Sequence, residues 1–449
     1  MGTPILISTL FHLPGHWQDT FQLQPPLPWL PMVLVTLLFY LTFTACFPQT
    51  GNAAFRAPFV GSSYAWLARW DFFQSAASVI QNGHVQFKDK PWKLTGNDVI
   101  VLPHRYLNEI RRLPIHEASA MKANLDNMQS KFTHLDILNT TRLFVSILKT
   151  KVNPQLSILT STIRRELDDA FAKELPSTLH DGEWVSVEAF ETLHRIIGRI
   201  SARIFGGKEL RDDVNWLNTA EGYLNNIFTT AISIRLVPRG FKTLASWFLP
   251  CSWQISWNFW KAKRILLPYI RYRKSVLSQR ADEIARTRRE EFPDVLQYLI
   301  EAARGKDAEP MMGYKRKLSQ NITLSDGLEL PAGAHVEFAI VPIQQDNTND
   351  SNVFNGLRYY QMRQSPAESY RHQFATTSEA SLHFGHGQNS CPGRFMASNV
   401  IKMVLGTLLT EYEFKLDQEG RPEGIHAFEY NFPSPTARLM LKKRPVSTG

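Results

Sequence analysis

Phe384-Gly385-His386-Gly387-Gln388-Asn389-Ser390-Cys391-Pro392-Gly393-Arg394-Phe395-Met396-Ala397 is the stretch whose chemistry sets the fold. It stands between a loop and a helix. From Arg394 to Tyr412 apolar side chains recur at Met396, Val400, Val404 and Leu408, the spacing of a buried helical stripe. A metal-bound thiolate needs its charge tempered by backbone N–H groups, and glycines let a loop bring them close. Gly385, Gly387 and Gly393 are placed for that. The helix that starts just behind Cys391 adds the partial positive charge of its N-terminus, which favours an anionic sulfur. A small buried thiol beside a helix would explain Cys391 alone, and would leave Phe384 and the three glycines without a reason. Together these residue types describe a cysteine thiolate as axial ligand to haem iron.

The same segment resembles the haem-binding signature of the cytochrome P-450 family, F-x-x-G-x-x-x-C-x-G, with Phe384, Gly387, Cys391 and Gly393 at its fixed positions. Flanking text keeps the family's order. Pro58-Phe59-Val60-Gly61 is similar to its hinge, and Tyr314-Lys315-Arg316-Lys317 stands ahead of a second sheet. Phe354-Asn355-Gly356-Leu357-Arg358-Tyr359 resembles its meander, whose arginine ties the loop to a Glu and an Arg of the K helix. The resemblance spans nearly the whole chain. In style it is similar to microsomal enzymes of filamentous fungi that decorate terpenoids and related secondary metabolites.

The resemblance implies a monooxygenase that oxidises a hydrophobic small molecule, with haem b held through its iron by Cys391. Electrons would come from NADPH through a membrane-bound, flavin-containing cytochrome P-450 reductase, whose acidic face suits a basic partner. Family members often carry a basic side chain between the positions of Gly387 and Cys391 to hold a haem propionate. Gln388, Asn389 and Ser390 are neutral. That duty then falls to Arg142, Lys149 or Lys151, in a segment resembling the family's C helix.

Two further family motifs are missing. The oxygen-activating I helix carries an acid followed by Thr to deliver protons, and no such pair occurs between Phe292 and Tyr314. Thr229-Thr230 has no acid beside it and precedes Val237-Pro238-Arg239-Gly240, which resembles a turn between earlier helices. The K-helix Glu-x-x-Arg should precede Tyr314. Glu283-x-x-Arg286 and Glu109-x-x-Arg112 have that spacing, which Glu- and Arg-rich helices generate freely through i, i+3 pairing. A stretch of roughly 80 to 100 residues, a long helix and two shorter ones, is expected to be absent at the junction of Pro310 and Met311.

Composition bounds the rest. At 449 residues and 43% apolar the chain fills a large core, which excludes general disorder. Three cysteines, Cys46, Cys251 and Cys391, exclude a disulfide scaffold. Fifty Lys and Arg against 41 Asp and Glu give +9, suited to an anionic membrane or an acidic protein. No basic stripe with interleaved aromatics marks a nucleic-acid binder. Trp29 to Phe47 is an uncharged run long enough to cross about 30 Å of hydrocarbon. Arg56 and Arg69 follow it and no Lys or Arg precedes it, which puts the body in the cytosol. The sequons at Asn139, Asn321 and Asn349 then carry no glycan.

The expected organisation is a lumenal segment over 1–28, a membrane anchor over 29–47, a hinge over 48–61, and a P-450-like haem domain over 62–449. Its class is mostly α with small β-sheets, and its place is the endoplasmic reticulum membrane. Val85 to Pro103 alternates about Thr95-Gly96-Asn97-Asp98 as a hairpin. Helices are expected from Gln155, from a Ser186 cap to Gly206-Gly207, and from Trp253 to Arg289. Strands are expected over Asn321–Leu324, Leu328–Leu330, Ala334–Val341 and Ala437–Leu441, with an aperiodic loop from Gln344 to Asn352. Apolar residues from Met121 to Thr140 or from Ile227 to Leu236 line a pocket or build ordinary core. Three functions follow: an active monooxygenase, a relic binding haem weakly or not at all, or a membrane-tethered structural protein without redox chemistry.

Overall fold

The computed structural model describes residues 55–62, 65–94, 99–136, 138, 143–279, 294–296, 315–346, 355–387, 390–420 and 422–445. The principal helices are α1 (Ala65–Gln86), α2 (Leu107–Arg112), α3 (Ala120–Asn127), α4 (Leu156–Glu174), α5 (Ala189–Gly206), α6 (Val214–Leu236), α7 (Lys242–Phe248), α8 (Pro250–Gln279), α9 (Ile340–Asp346), α10 (Arg358–Met362) and α11 (Arg394–Glu411). Among the described residues thirteen short strands join them, from β1 (Phe59–Val60) to β13 (Arg438–Lys443). The class is the expected one, mostly helical with small sheets.

Helix α4 forms because Leu159, Ile163 and Leu167 recur at i, i+4, and all three are fully buried. Its apolar stripe meets Ile196 and Ile200 of α5 and Val400, Val404 and Leu408 of α11 in one core. Helix α5 ends where Gly207 takes a φ of 95°, a backbone that a side chain would strain. A six-stranded sheet runs β1-β2-β3-β9-β6-β4, with β2 (Trp92–Leu94), β3 (Val99–Val101), β4 (Ala118–Ser119), β6 (Lys315–Leu318) and β9 (His335–Glu337). A second sheet runs β10-β13-β5, with β10 (Tyr412–Leu416) and β5 (Val185–Glu188). Hairpins join β7 (Ile322–Thr323) to β8 (Glu329–Leu330) and β11 (Ile425–Ala427) to β12 (Tyr430–Phe432).

Several expectations need correction. Ser186 does not cap a helix: it lies in β5 opposite Met440, its hydroxyl accepts from Arg438 Nε at 2.8 Å, and the helix starts at Ala189. Long-range pairing with β13 overrides a local cap pattern there. The Val85–Pro103 hairpin is shorter than expected, since Val85 and Gln86 finish α1 and the antiparallel pair is Trp92–Leu94 with Val99–Val101. The strand from Ala334 ends at Glu337, because Ile340 opens α9 and its Pro342 falls in the first turn, where no N–H is needed. That helix also occupies the start of the expected loop at Gln344. The hinge is not free to its end: Phe59 and Val60 pair in parallel with Lys93 and Leu94, and Val60 is buried. Ile227, Ile232 and Ile234 are buried, and Ile232 packs in a core cluster with Val60 and Phe72. The anchor over 29–47, the hinge up to residue 54, Arg142, Glu283, Arg286, Pro310 and Met311 lie outside the described residues. Among the described residues no helix is long and apolar enough to cross a membrane.

A charge cluster joins the sheet, α6 and the β11–β12 hairpin. Glu429 accepts from Arg235 Nη1 and Nη2 at 3.1 and 2.9 Å, from Lys315 Nζ at 2.9 Å and from Asn127 Nδ2 at 3.2 Å. Lys315 also meets Glu337 at 3.2 Å, and the Arg235 guanidinium stacks 4.1 Å from the Phe428 ring centre. Against burial, which raises it, the Lys315 and Arg235 cations pull the Glu429 carboxyl down to about 2. A folded pKa below the ordinary 4.5 means stability that is complete above about pH 4.5 and is lost as pH falls towards 2. Glu429→Gln is expected to cost about 3–5 kcal/mol at neutral pH, because two buried cations keep one carboxylate between them. Urea midpoints at pH 7 and pH 3 check this: the parent loses stability between them, and the variant much less.

Candidate functional site

The loop around Cys391 is built by its own backbone. The Cys391 N–H donates to the Phe384 carbonyl at 2.8 Å, Gly385 N–H to Leu382 at 2.8 Å, and Ser390 N–H to Gly387 at 3.1 Å. The Cys391 bond closes a loop that turns at Gly385 (φ 68°) and Gly387 (φ 74°), left-handed backbone that favours glycine. The Cys391 amide is therefore spent on closing the loop rather than on tempering its own sulfur. Cys391 is a free, half-buried thiol at the mouth of α11, whose cap residue is Gly393.

Side chains lock this shape. Arg394 Nη1 donates to the Cys391 carbonyl at 2.9 Å and its Nε to the Ala375 carbonyl at 3.1 Å, with its guanidinium 4.3 Å from the Phe395 ring centre. Asn153 Nδ2 donates to the Pro392 carbonyl at 3.1 Å, while its Oδ1 is buried with no partner among the described residues. Phe384 meets the edge of Phe374 at 5.5 Å and the His383 ring at 4.7 Å. His383 Nε2 donates to the Phe374 carbonyl at 3.0 Å, so its Nδ1 accepts from the Ser381 hydroxyl at 3.1 Å.

Arg111 of α2 reaches the loop from far away in sequence. Its Nη1 donates to His386 Nε2 at 2.8 Å, which makes Nδ1 the protonated nitrogen and sends that proton to Thr377 Oγ1 at 3.2 Å. Burial and the Arg111 charge hold the His386 pKa below the usual imidazole value, consistent with a neutral ring. A Cβ at Gly387 would meet Arg111 Cγ at 2.7 Å and Cδ at 2.9 Å. Gly387→Ala is therefore expected to combine a clash with backbone strain at φ 74°, lowering stability by about 1–3 kcal/mol. A thermal melt beside the parent would measure the loss, and an unchanged midpoint would contradict it.

The structure gathers Phe384, Gly387, Cys391 and Gly393 in one place. Lys149 and Lys151 are exposed, although their segment does touch the loop through Asn153. Arg358 begins α10 and is half-buried. Thr229 donates to the Asn225 carbonyl, the ordinary behaviour of a threonine inside a helix, whereas Thr230 is fully buried and its hydroxyl has no partner among the described residues. Arg111, Thr377 and Asn153 escaped sequence reasoning, since their contacts span from 9 to 275 residues and no local pattern marks them. Arg394 stood inside the signature stretch and could have been found there.

The residue set fits haem. Among the described residues no three His, Cys, Asp or Glu side chains converge to hold a bare ion. A metal at Cys391 must therefore bring most of its coordination with it, as iron does in a porphyrin, and leave one axial position for sulfur.

Comparison with known proteins agrees. The sequence profile described as Cytochrome P-450 matches residues 271–442. The cytochrome P-450 monooxygenase AN1598 of Emericella nidulans is 31% identical, over 88% of this chain and 89% of the relative. The monooxygenase olcJ of Penicillium canescens is 28% identical over 98% of both. An ent-kaurene oxidase of Fusarium fujikuroi is 26% identical, over 93% of this chain and 95% of the relative. Among solved structures, retinoic acid bound cyanobacterial CYP120A1 superposes with a TM-score of 0.51 at 14% identity, over 86% of this chain and 99% of that one. The olcJ alignment runs over 526 positions, more than the 449 residues of the chain, so at least 77 of them (526 less 449) find no residue here.

Proposed function

Because the chain belongs to the cytochrome P-450 family, we propose that it holds haem b through Cys391 and oxidises a hydrophobic small molecule of the terpenoid-like secondary metabolism of a fungus. The observation that carries the reading is the closed loop from Phe384 to Cys391, with an unpaired thiol at its end. The ent-kaurene oxidases among the relatives support the substrate class.

Thiolate-bound haem supplies dioxygen activation and oxygen insertion, given two electrons. The chain supplies what lies behind the iron. Cys391 donates the sulfur, Arg394 fixes the carbonyl of the same residue, and Asn153 fixes the next. Phe384, edge-on to Phe374, adds an apolar ring to the same loop. Arg111, Lys149, Lys151 and Arg142 are the cations available to the haem carboxylates. Electrons come from NADPH through a reductase, towards which the net charge of +9 is favourable.

A second reading has an observation of its own. At least 77 aligned positions of a relative find no residue in this chain, and no acid-Thr pair occurs between Phe292 and Tyr314. On this reading the gap falls at Pro310 and Met311, and the chain as written binds haem weakly and is catalytically defective. The spectrum of the reduced, carbon-monoxide-treated protein tests both: a red-shifted thiolate band supports haem ligation, and no Soret band supports neither oxidase nor haem-bound relic.

The reading also includes an endoplasmic reticulum anchor over 29–47 with the body in the cytosol. Supporting it, Trp247, Phe248, Trp253 and Trp257 are all more than half exposed on α7 and α8 among Lys242, Lys261 and Arg264. No Asp or Glu occurs from Lys242 to Gln279. Tryptophans with cations are the composition of a lipid interface. Val60, near the end of the hinge, shares a core cluster with Ile232 and Leu236, from which the chain runs into α7. Protease added to intact microsomes is expected to digest the body, and a glycan on Asn139 or Asn349 would reverse the topology.

A further inference from the structure

Three bonds fasten the cysteine loop to one short stretch of chain. His383 Nε2 donates to the Phe374 carbonyl at 3.0 Å, Arg394 Nε to the Ala375 carbonyl at 3.1 Å, and His386 Nδ1 to Thr377 Oγ1 at 3.2 Å. Phe374 to Thr377 is thus a ledge on which the loop rests. Just past it the backbones of Ser378 and Ser381 bond to each other in both directions, at 3.2 and 3.1 Å. Every one of these contacts joins residues close in sequence. A turn held only by local bonds opens readily, so its position depends on what reaches it from the rest of the fold.

Two side chains reach it, one at each end. Asn153 holds the Pro392 carbonyl behind Cys391. Arg111 holds the other end from a firm base, since Leu107 and Ile110 of α2 are fully buried in a cluster with Leu318 and Val336 of the six-stranded sheet. Leu382, at the start of the loop, belongs to the same cluster. The Arg111 guanidinium can only donate, so its 2.8 Å bond needs a lone pair on His386 Nε2 and leaves the ring proton on Nδ1, facing Thr377. One neutral tautomer therefore joins α2 to the ledge, and the other would set N–H against N–H. Around the ring, burial and the Arg111 charge disfavour a second proton and Glu379 favours it, with the pKa held low on balance. The Arg111 stem fills the space beside Gly387, where an added Cβ would stand 2.7 Å from Cγ.

We propose that Arg111 is a positioning residue for the cysteine loop: through the His386 ring it ties residues 386 and 387 to the sheet body, and so fixes where the Cys391 sulfur stands. Its effect runs in series, from Arg111 to His386, from His386 to the ledge, and along the loop to the Cys391 N–H that closes on Phe384. The consequence at iron rests on the reading of Cys391 as the haem ligand, whereas the tie itself belongs to the haem-free chain.

Deuterium uptake by the full haem-free chain tests the tie. The reporter is the Cys391 amide, bonded to Phe384 and followed by a proline without an N–H, and the amides of α4 are the internal standard. Arg111→Met keeps a stem beside Gly387 and removes the donors, so exchange at Cys391 is expected to quicken about tenfold or more while α4 stays as it was. His386→Phe should also quicken it, and adding Arg111→Met to that variant should change little, because both break the same bond. His386→Gln, whose Oε1 can accept from Arg111, should return exchange to within about threefold of the parent. Exchange unmoved by Arg111→Met would overturn the inference and leave Arg111 to the haem carboxylates alone. Equal quickening in α4 would overturn it as well, by making Arg111 an ordinary stabilising residue. So would a double variant that shows the product of the two single effects, or a Gln variant as fast as the Phe variant. With haem loaded, Arg111→Met should enlarge the share of reduced, carbon-monoxide-treated protein that lacks the red-shifted band, and an unchanged share beside a loosened loop would refute the positioning of the sulfur. A parent that takes up no haem would sink the proposed oxygen chemistry, and the exchange rates would still decide the tie.

Discussion

Cys391→Ser is expected to abolish the red-shifted band of the reduced, carbon-monoxide-treated protein. A serine hydroxyl is neither as soft nor as readily ionised as the sulfur it replaces, so the iron loses its anionic axial donor. The structure isolates this effect from folding. The contacts that shape the loop, Cys391 N–H to Phe384 and Arg394 to the Cys391 carbonyl, use backbone atoms that the substitution leaves in place. The variant should therefore unfold within about 1 kcal/mol of the parent, the ordinary range for a near-isosteric change at a half-buried site. A retained thiolate-type band in a folded Cys391→Ser protein would remove Cys391 as the ligand. A lost band with a lost fold would be resolved by the urea midpoint measured beside it.

Restoring the missing segment is the second large expectation. Expressed with a reductase, the 449-residue chain should retain little haem and turn over far more slowly than one carrying the segment between Pro310 and Met311. Two physical losses add. Cleaving bound dioxygen needs a proton delivered at the distal oxygen, and no acid-Thr pair between Phe292 and Tyr314 supplies it. A shorter chain also has less apolar area to bury, and buried apolar area contributes about 25 cal/mol for each square ångström. Haem content per protein and product formed per haem separate the two losses. Tight haem binding with full turnover by the chain as written would show the segment to be dispensable.

Where periodicity was local, the sequence was legible. Leu159, Ile163 and Leu167 announced α4, and Met396 to Leu408 announced α11, because spacing along one helix is decided within a few residues. Ser186 misled because a serine before a helical run looks the same whether it caps the helix or pairs with Met440, and the second outcome depends on a strand far down the chain. Ala334 to Val341 was a short apolar run, which strand and buried helix share, and α9 took its end. In the site, the loop that gathers Phe384, Gly387, Cys391 and Gly393 ahead of α11 was legible, since these residues are neighbours in sequence and the glycines allow its turns. Arg111 was not, because nothing near it in sequence hints at His386.

Strand β13 closes the sheet against β5, and the Phe428 N–H donates to the Phe73 carbonyl at 3.0 Å. The beginning of the body is thus finished by its end. A ribosome adding about 5–20 residues per second takes roughly 12–50 s to pass from β5 to β13. During that interval the edge of β5 and the apolar side of α1 wait without their partners, tethered wherever the nascent chain is held. The late arrival of the last thirty or so residues makes them the step that releases the protein from the chaperones guarding such surfaces. A chain shortened by its final strand would remain a client of those chaperones, however sound its haem loop.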